Sequence, residues 1–235
     1  MSTNGLGETL INIFTSPGEA FTALQHQPRI LFPLALLIVF NVGASLLYMR
    51  SVDIPWLLET TSQQALERLP DDQREQALEN ISKTSPTVVT AIAGVQSGLS
   101  LLILLFLPAA YLAIVSLVTN DGYKLKRWFS LVCWCSLPLL LAIVATLANI
   151  LAGDASHLAP ERLNPLSFGN LLGLETGTNI ASRVLRSLDL TSVWSLVLLV
   201  LGYQAWTSKP LGKSAAIVLA PMIVVVAIVL FFSLR

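Results

Sequence analysis

Residues 86–118 read PTVVTAIAGVQSGLSLLILLFLPAAYLAIVSLV, and this stretch decides the fold. From Pro86 to Val118 it holds no Asp, Glu, Lys, Arg or His. As a helix rising about 1.5 Å per residue, it is longer than the roughly 30 Å hydrocarbon layer of a bilayer. A soluble domain of this size has no core that could hide it. Outward from this stretch, four more apolar runs carry no charge in their interiors: Ile30–Met49, Trp128–Ala152, Leu190–Thr207 and Ser214–Leu234. The sequence therefore predicts an all-α, polytopic membrane bundle of five transmembrane helices with amphipathic interfacial and loop helices. The spans cover about 30–49, 87–118, 128–152, 190–207 and 214–234. A segment over 1–29 precedes this membrane domain (30–234), whose outer loops cover 50–86 and 153–189.

Composition agrees. The chain is 54% hydrophobic and 12% charged, whereas soluble domains carry about 25% charged residues. Its formal net charge is zero, so no basic excess draws it to nucleic acid. Cys133 and Cys135 lie two apart on a helix, point to different faces and cannot pair with each other. No Lys or Arg precedes Arg29, so the expectation is an uncleaved first span rather than a cleavable signal peptide.

Orientation follows from the short turns. Thr119–Arg127 holds Lys124, Lys126 and Arg127 against Asp121 alone, and the last turn adds Lys209 and Lys213 without an acid. Arg50–Ser85 instead carries seven acids against four bases. The excess of basic residues in short cytoplasmic loops places both basic turns inside. Five spans then put the N-terminus inside and Arg235 outside.

The loops have helical patterns of their own. Ser16-Pro17-Gly18-Glu19 reads as a helix start with Ser as cap, and Ala20, Phe21 and Leu24 share one face. Leu10, Ile11, Ile13 and Phe14 add apolar area upstream; the segment either docks on the membrane surface or packs under the bundle, and the second is favoured. Ile54–Leu69 forms a helix ended by Pro70, and Asp71-Asp72 caps a second one through Ile81. Its stripe of Ala77, Leu78 and Ile81 is expected to face the bundle. Another helix is expected from about Ile180, capped by Thr178 or Asn179, with Arg183 and Arg186 on its polar side.

Catalytic chemistry finds no foothold. Charged residues inside membrane spans mark proton and ion pathways, and none is present. The span polar residues Asn41, Ser45, Gln96, Ser97, Ser136, Thr146, Asn149 and Gln204 are of the kind that bonds across helices. Gly94 and Gly98, four apart, form a close-approach face that serves a dimer or an intrachain contact equally well. Pro33, Pro108, Pro138 and Pro221 are expected to kink helices rather than break them. Gly212-Lys213-Ser214 lacks the Gly at position 207 that a phosphate-binding loop needs. His157 and Glu161 have a metal-like spacing interrupted by Pro160. No catalytic group, cofactor or metal is expected.

Several segments together resemble the Yip1-domain family of five-span membrane proteins. They are Ser16-Pro17-Gly18-Glu19-Ala20-Phe21, Pro28, Arg127-Trp128-Phe129 and Leu137-Pro138-Leu139-Leu140. Further on come Asn164-Pro165-Leu166-Ser167, Leu188-Asp189-Leu190 followed by Trp194, Gly202-Tyr203, and Lys213-Ser214-Ala215. The resemblance implies a fold and a class more than an activity. Eukaryotic relatives serve vesicle traffic and associate with small prenylated GTPases through a long N-terminal region, which is not carried over to the short segment here. The likeness is to bacterial members, which implies the cytoplasmic membrane of a bacterium. The expected role is a non-enzymatic adaptor or organiser working through a membrane-protein partner or a homodimer. The alternative is a small passive transporter or channel using Asn41, Gln96 and Asn149.

Overall fold

The structure, a computed structural model, describes residues 5–174 and 180–233. Gly177, Thr178, Asn179 and Arg235 lie outside the described residues. Among the described residues the architecture is all-α, with one isolated antiparallel bridge between Ser167 and Asp189.

Two short helices open the chain, α1 (Leu6–Thr15) and α2 (Pro17–His26). The apolar residues expected only to add area thus form a helix of their own. Ser16 is the corner, but its side chain caps nothing; its N–H donates to the Asn12 carbonyl at 2.8 Å. The helices pack into the bundle, where Ile13, Ala20, Phe21 and Leu24 are buried.

The first span is α3 (Leu31–Ser51). A hairpin of α4 (Ile54–Leu66) and α5 (Asp71–Lys83) follows. The carboxylate that caps a helix here is Asp53, whose Oδ1 accepts from the Trp56 N–H at 3.1 Å. Asp71 and Asp72 fall inside the first turn of α5 instead, where their charge still suits the helix dipole. No residue of α5 is buried. Its half-buried Ala77, Leu78 and Ile81 belong to a helix that packs on α4.

Next comes α6 (Pro86–Thr119), which runs unbroken through Pro108 and stops at Asn120 in the left-handed region, φ 56°. The run over 128–152 is not one helix. It forms α7 (Leu125–Cys135) and α8 (Leu139–Ala152), bent by 44°. Pro138 has no N–H to continue the helix, so the chain tightens into i→i−3 bonds, Leu137 to Trp134 at 3.2 Å and Leu139 to Ser136 at 3.0 Å. Pro33, Pro108 and Pro221 stay inside continuous helices.

The second long loop carries a short turn of helix at Pro160–Arg162, then α9 (Phe168–Leu171) and α10 (Ile180–Ser187). The chain closes with α11 (Leu190–Thr207) and α12 (Leu211–Ser233). Among the described residues four helices are long and apolar enough to cross a membrane, or five if the bent pair crosses as a unit.

The main core joins α2, α6, α7 and α11, with every residue from Ser130 to Ser136 buried. A smaller core of Tyr48, Val52, Ile54, Leu57, Ile150 and Ala155 closes the other end. Antiparallel α3 and α6 make the most extensive helix pairing. There a Cβ on Gly94 would lie 3.0 Å from Leu46 Cδ2, and one on Gly98 3.4 Å from Val42 Cγ2. Asn41 Nδ2 donates to the Ser97 carbonyl at 3.1 Å, and Ser45 Oγ to that of Ala93 at 3.4 Å. Gly94→Val should therefore force Leu46 aside and cost about 1–3 kcal/mol. Gly43→Ala, in open space, should leave stability unchanged or raised; thermal unfolding in detergent compares them.

Candidate functional site

The residues that could act together gather at the two ends of α11. At its C-terminal end, four aromatic rings from one turn and two helices interlock. Trp128 stacks on Tyr203 with ring centroids 5.4 Å apart, and Tyr123 and Trp206 each lie 5.5 Å from Trp128. Such rings bury large apolar area while their polar tips need partners. Tyr123 Oη donates to the Trp206 carbonyl at 2.9 Å and accepts from Gln25 Nε2 at 2.5 Å. Trp206 Nε1 donates to the Phe21 carbonyl at 2.9 Å. The Arg29 carbonyl accepts from Trp134 Nε1 at 2.7 Å and Ser130 Oγ at 3.1 Å. Trp128 Nε1 is buried without a partner among the described residues.

Over this cluster lies an ion pair between Lys209 and Asp121, whose side chains are 15% and 9% exposed. Thr119 also donates to Asp121. Tyr203 Oη donates to Asp121 at 3.4 Å and accepts from Lys209 at 3.2 Å. Burial pushes the Asp121 carboxyl up, but the bonds from Lys209, Thr119 and Tyr203 with the Lys209 charge outweigh it and hold the group below its usual 3.8. Burial likewise pulls Lys209 down, and its bonds to Asp121 and Tyr203 hold it above its usual 10.5. The pair clasps the α6–α7 turn to the α11–α12 turn. Sequence reading counted both residues only as loop charges, because 88 positions separate them.

Gly202 packs between these parts. A Cβ there would stand 2.7 Å from Leu131 Cδ1 and 3.2 Å from Phe21 Cε1. Phe21 and Gly202 thus meet in space, as do the α1–α2 corner and α11, where Phe14 and Trp194 pack edge to face at 5.8 Å. Pro17 opens α2 just past that corner.

The other end of α11 is held by a hydrogen-bonded loop. Asn164 Nδ2 donates to Asp189 Oδ2 at 2.7 Å, while Asn164 Oδ1 accepts from the Leu166 N–H at 3.0 Å. Asp189 Oδ1 caps α11 through the Ser192 N–H at 2.7 Å and accepts from Thr191 Oγ1 at 2.7 Å. Asn164-Pro165 and Leu188-Asp189-Leu190 therefore close on one another. Arg186 does not face solvent as its helical pattern suggested. It is half-buried beside Gly169 and donates to Asn170 Oδ1 at 3.2 Å and to the Leu174 carbonyl.

The three amides expected of a solute path, Asn41, Gln96 and Asn149, do not converge on one path. Asn41 bonds to α6, Asn149 Nδ2 donates to the carbonyls of Arg162 and Leu163, and Gln96 faces outward. His157 stands edge-on to Trp56 at 5.0 Å. Among the described residues no group of three His, Cys, Asp or Glu could hold a metal.

Fold and site together define an integral membrane helical bundle clasped at both ends of one partly buried helix. Residues 11–234 match the Yip1 domain, and the chain belongs to that family. It is 24% identical over 220 residues to the membrane protein YknW of Bacillus subtilis (strain 168), covering 92% of this chain and 87% of that protein. No solved structure matches it.

Asp121→Asn should lower stability at neutral pH by about 2 kcal/mol, as expected for losing hydrogen bonds to a charged group. The sign with pH follows from the shifts. A depressed Asp121 gives stability present above pH 3.8 and lost as pH falls through its folded value. A raised Lys209 gives stability present below pH 10.5 and lost as pH rises through its folded value. Thermal midpoints of parent and variant should differ across that window and converge in acid.

Proposed function

We propose that this chain is a non-enzymatic adaptor or organiser of a bacterial cytoplasmic membrane, working through protein–protein contacts. In this reading the bent α7–α8 pair serves as the third of five spans. The N-terminal segment over 1–29 and both basic turns face the cytoplasm, and the loops over 50–86 and 153–189 and the C-terminus face outside. The basic content of the two short turns supports that orientation.

The observation that carries the adaptor reading is α5, an ordered helix of 13 residues with no buried residue. It leans on α4 and presents Asp71, Asp72, Glu75 and Glu79 with Arg74 and Lys83 to water. A helix that contributes so little to its own core is a projecting arm, suited to a partner on the same side of the membrane. The span polar groups support the reading too, since Asn41, Ser45 and Asn149 are used in holding the bundle together. Gly94 and Gly98 act in it as the α3–α6 contact face.

The passive-transporter reading keeps one observation in its favour. A crevice of about 220 Å³ opens among Asn41, Ser45, Tyr48, Ser97 and Thr146. Cross-linking the full chain in its native membrane, with mass spectrometry of the adducts, separates the two readings. One recurrent partner, lost when the 71–81 sequence is scrambled, is the expected result. Absence of any partner, together with solute flux in liposomes that Asn41→Leu abolishes, would overturn the adaptor reading.

A further inference from the structure

The outer face of α6 carries two polar side chains with no protein partner among the described residues. Gln96 and Ser100 stand four apart on an otherwise apolar surface of Ile92, Val95, Leu99 and Ile103, and both are exposed. Together these side chains and Ala91 line a shallow groove of about 600 Å³. Neither the Gln96 amide nor the Ser100 hydroxyl makes a hydrogen bond to another described residue.

Their depth makes this costly. Asn41 is ten residues from either end of α3, and it bonds to the carbonyl of Ser97, the neighbour of Gln96. The span of α3 matches the thickness of a bilayer, about 30 Å at 1.5 Å per residue. Gln96 therefore lies level with the middle of that span, where no water reaches an amide and lipid tails offer it neither donor nor acceptor. Val95 is 64% exposed and Leu99 55%, so the surrounding face is open to whatever lies beside the protein.

We propose that this face binds a second copy of the same chain, with Gln96 of each subunit bonded to Gln96 of the other. Two arguments select a copy over another protein. Copies inserted with the same orientation are related by a two-fold axis along the membrane normal, which brings equal depths face to face. A primary amide is also its own complement, because each carries two N–H donors and one carbonyl acceptor. Ile92, Val95, Leu99 and Ile103 then form the apolar seam at three- and four-residue spacing, and Ser100 adds a small polar contact one turn along. The close-approach glycines take no part, since Gly94 and Gly98 already face α3. The dimer stands apart from the adaptor reading, and each can fail without the other.

The test uses the full chain in liposomes. Cys133 and Cys135 are buried, so single cysteines introduced on the surface report alone. Gln96→Cys and Leu99→Cys oxidised with copper phenanthroline should give self-adducts well above those of Val39→Cys, which is exposed on α3 at similar depth. Gln96→Leu should weaken dimerisation about three- to ten-fold in photobleaching counts across protein-to-lipid ratios, and Gln96→Asn should restore most of it. Adducts no stronger than those of Val39→Cys would overturn the proposal. So would an undiminished dimer in Gln96→Leu, or Gln96→Cys adducts in native membranes to a different protein in place of the self-adduct.

Discussion

A polar group inside a hydrocarbon layer must find its partner within protein, and the arrangement of this molecule follows from that constraint. Helices satisfy their own backbones, so what remains is a short set of side chains and helix ends. Asn41 and Ser45 meet the demand on the carbonyls of α6, and Asn149 on those of the second long loop. Each bond is modest in energy, about 0.6–2 kcal/mol between membrane helices. Their effect is to fix register: α3 can slide on α6 only by leaving these groups unpaired. Lipid does the remaining work of holding the apolar faces of α3, α6, α8 and α12, which are open along much of their length.

The two ends of the bundle meet a different demand. There the helices stop, water arrives, and the fold is closed by polar contacts between segments far apart in sequence. Aromatic rings and the Asp121–Lys209 pair clasp one end, and the Asn164–Asp189 pair the other. Both clasps converge on α11, whose C-terminal end is packed by α2 and α7 and whose first residue follows a fully satisfied cap. This helix has the largest buried share of the four unbroken candidate spans. Phe21, Asn164, Trp194 and Gly202 all lie on it or against it, through the Phe21–Gly202 approach, the Asn164–Asp189 bond and the Phe14–Trp194 ring pair. These residues set how one helix is held.

That the chain is an all-α membrane bundle was legible from charge alone, because a run such as Pro86–Val118 suits only the apolar interior of a bilayer. Chain segments whose fate depends on local chemistry were legible only in part. Pro138 and Pro108 look alike in sequence, each a single proline among apolar residues. Pro108 sits inside one continuous α6, while Pro138 separates α7 packed in the core from α8 packed on α3, and the chain turns there by 44°. Asp71 and Asp72 looked able to cap a helix, but the helix starts at Asp71 with Pro70 in the cap position. Asp53, one residue ahead of α4, is the carboxylate that caps. The Asp121–Lys209 pair was not legible as a pair. Its only trace was a lone acid within a basic turn, a signal too common to single out.

The hydrogen bond from Trp206 to Phe21 joins positions 185 residues apart. At ordinary synthesis rates of about 5–20 residues per second, the α2 backbone exists for roughly 10–40 s before its partner on α11 has been made. Until α7 and then α11 have been made, Phe21, Leu24 and Ile13 have no complete core to enter. An amphipathic hairpin with nowhere to pack rests on the nearest apolar surface, which for a chain being inserted is the bilayer itself. The first helices made are thus among the last to find their place, and the membrane surface serves as their waiting room. Final assembly is then a transfer from lipid to protein, completed only once α11 has been made.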